Sequence, residues 1–183
     1  MKKVYFIRHG ESQWNVEDKI CGRTDSPLTE RGRMQALETG RMLLESGICA
    51  DAILYSPLSR AKDTALAIAA VTGLPATEEP LLMEQAFGRW EGTSPRNSAA
   101  FREAKKGFAT NFGDGESMLR LGQRIYNLLD RLAEDDRTYV LVAHNGIARV
   151  VKSYFSDMTN EEFADYGVKN CSVTEFVFPE RAE

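Results

Sequence analysis

Histidine is scarce in this chain: His9 and His144 are the only two in 183 residues. Cysteine is scarce as well. Cys21, Cys49 and Cys171 are odd in number and have no metal-type spacing, which argues against a disulfide framework or a zinc site. Positive charge is not in excess, with 23 basic against 27 acidic residues and a formal net charge of −4. That balance argues against general nucleic-acid binding but leaves room for a local basic pocket. No apolar run is long enough to cross a bilayer. The opening MKKVYFIRHG has only four apolar residues before Arg8, too few for the hydrophobic stretch of a secretory signal. The expectation is a reduced, cytoplasmic protein with no nucleic-acid or membrane partner. Its length suits one domain, residues 1–183, able to bury a real core.

Short apolar runs alternate with segments of helical period. KVYFI (3–7), DAILYS (51–56) and TYVLVA (138–143) read as buried strands, and SVTEFVF (172–178) as an alternating edge strand. TEEPLLM (77–83) has room for a further short strand. Thr29 opens a helix whose apolar face is expected at Met34, Leu37, Met42, Leu43 and Leu44, ending at Gly47. Residues 58–73 form an Ala-rich helix stopped by Gly73, 117–136 an amphipathic helix capped by Ser117, and 146–155 another helix. This alternation predicts an α/β fold: a three-layer sandwich with a mostly parallel central sheet flanked by helices.

In such sheets ligands bind beyond the carboxyl ends of the strands. Arg8 and His9 follow the first strand, Ser56 to Arg60 the second, and His144 another. Both scarce imidazoles thus fall in one kind of location. Residues 85–116 interrupt the alternation. Between 85 and 112 they carry Arg89, Arg96, Arg102, Lys105 and Lys106 against Glu91 and Glu103, together with Phe87, Trp90, Phe101, Phe108 and Phe112. This reads either as a solvated, loop-rich insertion or as a lid over an anionic substrate.

The residue types at the strand ends suit phosphoryl transfer. A neutral imidazole can attack phosphorus and form a phosphohistidine. Arg8 and Arg60 offer planar forks to the equatorial oxygens, and a protonated His144 would add a donor. A carboxylic acid must protonate the leaving alkoxide. Glu84 is the candidate, with Glu91 a nearby alternative. Cys21 lies near the pocket loop without a basic partner of its own and is taken as incidental.

RHGES (8–12), GRTDSPLTERGRMQA (22–36), SPLSRAKDTA (56–65), MEQAFGRWEG (83–92), GDGES (113–117) and VAHNG (142–146) occur in this order. Together they resemble the histidine phosphatase superfamily, in its phosphoglycerate-mutase-like branch, over roughly residues 3 to 178. The resemblance implies a phosphoglycerate-mutase-like fold and metal-independent transfer with no cofactor. It implies His9 as nucleophile, Arg8, Arg60 and His144 as phosphate clamp, and Glu84 as proton donor. It further implies that Asn15 contacts the phosphate and that Gly22 and Arg23 lie beside the substrate. Asn145 stands where many relatives have glycine; asparagine tolerates unusual dihedrals, so the turn should survive with Asn145 at the phosphate site. Asp63, where glutamine is common, should be a surface residue.

The expected activity is a phosphomonoesterase acting on a small cytosolic phosphate ester. A phosphoglycerate mutase is the enzymatic alternative, although such relatives usually carry longer insertions around the active site. A catalytically idle phosphate- or phosphopeptide-binding module is the non-enzymatic alternative. Neither the particular ester nor the oligomeric state is legible in the sequence.

Overall fold

A computed structural model describes residues 1–94, 98–111 and 114–179. Arg96 and Phe112, both expected in the lid, lie outside these. Five strands, β1 (Lys3–Arg8), β2 (Ala52–Tyr55), β3 (Ala76–Glu78), β4 (Tyr139–Ala143) and β5 (Val173–Val177), form one sheet in the order β3-β2-β4-β1-β5. All pairs are parallel except β1 with β5, so the expected edge strand is the antiparallel one. The third strand begins at Ala76, and PLL of the TEEPLLM segment forms a 3-10 turn, Pro80–Leu82.

Alternate residues of β1 serve opposite layers, as strand geometry requires. Val4 and Phe6 pack with helices α5 (Met118–Glu134) and α6 (Asn145–Phe155). Tyr5 and Ile7 pack toward α2 (Glu30–Glu45) and α3 (Ser59–Thr72). Leu121, Ile125, Leu128, Leu129 and Leu132 of α5 are buried in one stripe, each worth about 2 kcal/mol of apolar burial. The helix starts are capped as read: Thr29 Oγ1 accepts from Gly32 N at 3.0 Å and Ser117 Oγ from Arg120 N at 3.3 Å. Gly73 closes α3 at φ +75°, a conformation glycine adopts without strain.

The face of α2 corrects the sequence expectation. Met34, Met42 and Leu44 are exposed, and the buried residues are Gly32, Ala36, Thr39, Gly40 and Leu43. Small residues on this face allow close approach: Gly32 to the backbone of Glu11 and Gly40 to α3. A Cβ on Gly40 would stand 2.9 Å from Val71 Cβ, closer than packed carbons approach.

The remaining helices, α1 (Gln13–Val16), α4 (Ala99–Ala104) and α7 (Asn160–Asp165), are too short to show a periodicity. The 85–116 segment contains a 3-10 turn, Gly88–Trp90, and α4, and its Phe87, Trp90 and Phe101 cluster with Ile20. Among the described residues no helix is long and apolar enough to cross a membrane.

Candidate active site

Parallel pairing delivers the chemistry to one end of the strands. Arg8 is paired with Ala143, and Tyr55 with Val142. The chain then leaves the sheet in step: His9 N donates to Ala143 O at 2.9 Å and Ser56 N to Val142 O at 3.0 Å. His9 and His144 are both buried, with ring centroids 5.2 Å apart. Gly10 fixes the exit from β1. Its N–H donates to Thr64 Oγ1 at 2.9 Å, and a Cβ there would stand 2.5 Å from Gly32 O.

His9 Nδ1 lies 2.7 Å from Gly10 O. A carbonyl only accepts, so Nδ1 carries the proton and Nε2 keeps its lone pair. Burial, then the charges of Arg60 and Arg8, hold His9 well below the ordinary imidazole value. Burial holds His144 down as well, with Arg60 first among the charges that add to it, so His144 is neutral in the folded protein rather than the cation considered from the sequence. Its Nε2 lies 2.7 Å from Ser56 Oγ, whose oxygen also accepts from Leu58 N at 3.4 Å. The other ring nitrogen of His144, Nδ1, is buried without a partner.

This has a consequence for acid stability. Two histidines kept neutral by the fold take up protons below pH 6.5 only once the chain unfolds. Their contribution is fully present above that pH and is withdrawn as pH falls below it. The unfolding free energy, followed by urea titration, should fall by about 1.4 kcal/mol per pH unit for each histidine below about pH 6. His9→Ala should remove close to half of that slope; an unchanged slope would contradict the assignment.

Arg60 is 1% exposed. Its Nη1 donates to Thr24 O at 3.0 Å and its Nη2 to Gly22 O at 2.7 Å, so it organises the 22–25 loop. Arg8 Nη1 donates to Val168 O at 2.7 Å. Each guanidinium still has a buried Nε without a partner. Glu84 Oε1 accepts from Gln85 N at 2.9 Å and Oε2 from Gly146 N, at the start of α6, at 3.0 Å. Asn15 Oδ1 accepts from Ser12 N and from Asn170 Nδ2. A cavity of about 210 Å³ is lined by Arg8, His9, Asn15, Gly22, Arg60, Glu84 and Asn145, among others.

Two expected site residues do not line that cavity. The Arg23 side chain turns to Glu84 O, 3.3 Å from its Nε, and to Glu116 Oε2, 3.3 Å from its Nη2. His144 lies behind His9, fully buried. Asn145 lies in the first turn of α6 with no positive φ. Its Oδ1 accepts from Val168 N at 2.9 Å, so no unusual dihedral is called for. Glu91 accepts from Arg23 N, Thr24 N, Thr24 Oγ1 and Phe87 N. It ties two loops together, leaving Glu84 as the carboxylate on the cavity wall. Asp63 sits 3.9 Å from Arg33 at the surface.

The sequence reading missed Ser56 as partner of His144, and it missed Arg149 and Gln85 on the cavity wall, where Lys105 of the basic 85–116 segment also lies. Arg149 was within reach, since it lies four residues after Asn145 and so on the same helical face.

Comparison with known proteins agrees with this geometry. Residues 4–182 match the histidine phosphatase superfamily (branch 1). A protein of Salmonella arizonae named "Probable phosphoglycerate mutase GpmB" is 37% identical over 159 residues, covering 81% of this chain and 71% of its own. One of the same name from Erwinia tasmaniensis is 32% identical, covering 95% and 84%. Among solved structures, mycobacterial glucosyl-3-phosphoglycerate phosphatase has a TM-score of 0.83 at 26% identity, covering 96% of this chain and 90% of its own. Bacillus stearothermophilus YhfR has a TM-score of 0.82 at 27% identity, with the same coverages. With two histidines and two arginines gathered at the strand ends of an α/β sheet, and with a family match spanning nearly its whole length, this chain belongs to branch 1 of the histidine phosphatase superfamily.

Proposed function

We propose that this protein is a phosphomonoesterase that works without a metal, through a phosphohistidine on His9, on a small phosphate ester of the cytosol. The observation that carries this reading is the pair of buried donors without partners beside His9: Arg8 Nε and Arg60 Nε. Each such group costs about 1–3 kcal/mol when left unpaired, a cost that a phosphate's oxygens would offset. His9 Nε2 attacks phosphorus while Arg8 and Arg60 hold the equatorial oxygens. The bond from phosphorus to the alcohol oxygen breaks, and Glu84 gives its proton to the departing alkoxide. Water then attacks phospho-His9, Glu84 takes a proton from that water, and orthophosphate leaves with His9 neutral again. Asn15, Gly22 and Asn145 complete the phosphate pocket, and Arg23 holds the Glu84 backbone. The chain is one domain with residues 85–116 as its lid, for Phe87, Phe101 and Lys105 of that segment line the cavity.

A phosphoglycerate mutase is the second reading, favoured by the names of the relatives above. It would return the phosphoryl group to a hydroxy-acid instead of water. The test is acid-sensitive phosphoenzyme and orthophosphate release from p-nitrophenyl phosphate in excess EDTA, with no bisphosphorylated primer added. Steady release under those conditions is the expected result. Release abolished by the chelator would sink metal-free transfer. Interconversion of 2- and 3-phosphoglycerate that requires a bisphosphorylated primer, without orthophosphate release, would make the protein a mutase.

A further inference from the structure

Glu84 stands on irregular backbone, past the 3-10 turn Pro80–Leu82 and outside every strand and helix. A proton donor must nevertheless be held to within about 0.5 Å of its working position. Its placement therefore depends on the groups that grip this turn. The carboxylate is held by Gln85 N and Gly146 N. The main chain is held from α5, by a residue that does not line the reaction cavity.

That residue is Arg124, and it uses all three guanidinium nitrogens. Nη1 donates to Leu81 O, and Nη2 donates to Glu84 O at 3.3 Å. Nε and Nη2 also donate to Glu116 Oε1 and Oε2, at 2.8 and 2.9 Å. One planar cation thus grips both ends of the 81–84 turn while a carboxylate fixes its plane. Glu116 is itself tied to the residues after Glu84. Its N–H donates to Ala86 O at 2.8 Å, and its carbonyl accepts from Gln85 Nε2 at 2.9 Å. The Arg124 and Glu116 side chains are 15% and 11% exposed. Desolvation offsets most of the attraction within such a pair, so stability alone does not account for it. Its shape does: a lysine would supply the charge but not a fork that meets two carbonyls and a carboxylate together.

We propose that Arg124 is a positioning residue for proton transfer. With Glu116 it fixes the 81–84 turn so that the Glu84 carboxyl meets the leaving oxygen. The step itself is unchanged: the bond from phosphorus to oxygen breaks, and the Glu84 proton passes to the departing alkoxide. Arg124 lies off the cavity wall and acts through Glu84. The assignment rests on the phosphatase reading given above.

The test compares kcat/KM for phenyl phosphate and p-nitrophenyl phosphate in excess EDTA. Phenolate is the poorer leaving group and needs the proton, whereas p-nitrophenolate departs without it. The ratio of the two values is independent of the fraction of enzyme folded, so a loss of stability alone does not move it. Arg124→Met should lower the phenyl-to-nitrophenyl ratio about tenfold. In a Glu84→Gln background the same substitution should change the ratio less than about twofold, because the group it positions is gone. Glu116→Gln, in the same two backgrounds, decides the matter if Arg124→Met does not fold. Equal losses on both esters, or a fall in the ratio that persists beside Glu84→Gln, overturn the positioning role and leave the phosphatase reading standing. If native protein hydrolyses neither ester, the phosphatase reading falls and the role of Arg124 falls with it.

Discussion

His9→Ala is expected to lower kcat/KM for p-nitrophenyl phosphate by about 10⁴-fold or more, the scale seen when a nucleophile is removed from a unit that acts together. No neighbour can take its place. The His144 ring is bonded to Ser56 and lies off the cavity wall. Cys21 does line the cavity, but burial pushes its thiol up and keeps the nucleophilic thiolate scarce. The variant should still fold, because the His9 N–H to Ala143 O bond belongs to the backbone. Circular dichroism and urea unfolding check that point, and stopped-time product release measures the rate. Turnover within about tenfold of native would mean that another group attacks phosphorus and would end the proposed mechanism.

Glu84→Gln should separate the two half-reactions. For an alkyl phosphate, whose alkoxide must be protonated as it leaves, kcat/KM should fall by about 10²- to 10⁴-fold. For p-nitrophenyl phosphate the phenolate departs without help, so kcat/KM should fall less than about tenfold. The second step still lacks its base. Rapid mixing should therefore show a burst of p-nitrophenolate stoichiometric with enzyme, followed by slow steady release. The substitution also sets an amide N–H₂ against one of two backbone donors, Gln85 N or Gly146 N. A stability loss of about 1–2 kcal/mol is expected, so rates must be normalised to folded protein. Equal losses on both esters, with no burst, would remove Glu84 from the proton-transfer role.

The strands that carry the site were legible because each is a short apolar run ending in a polar residue, and residues at the ends of neighbouring parallel strands are neighbours in space. Arg8, His9 and His144 follow from that rule with the resemblance only adding their roles. The α2 face was misread for a physical reason. Hydrophobicity marks burial only where there is room for large side chains, and on α2 Gly40 lies against Val71 of α3 while Gly32 lies against the backbone of Glu11. Arg23 was expected beside the substrate. A sequence does not show that Glu116, more than ninety residues away, holds its guanidinium. Within 85–116, α4 is a six-residue helix and offers too few turns for a period to emerge.

The order of the sheet also bears on how the protein behaves when crowded. One edge is β3, only three residues long and bracketed by Pro75 and Pro80, neither of which can donate to an added strand. The other is β5, which carries Glu175 in an ion pair with Lys3 of β1 at 2.9 Å. A strand from a second molecule would find a ladder that is too short on one side and charged on the other. The central strands, the most apolar in the chain, have both their hydrogen-bonding sides occupied by neighbours. Edge-to-edge growth into aggregates is therefore opposed by the same strand order that brings His9 and His144 together.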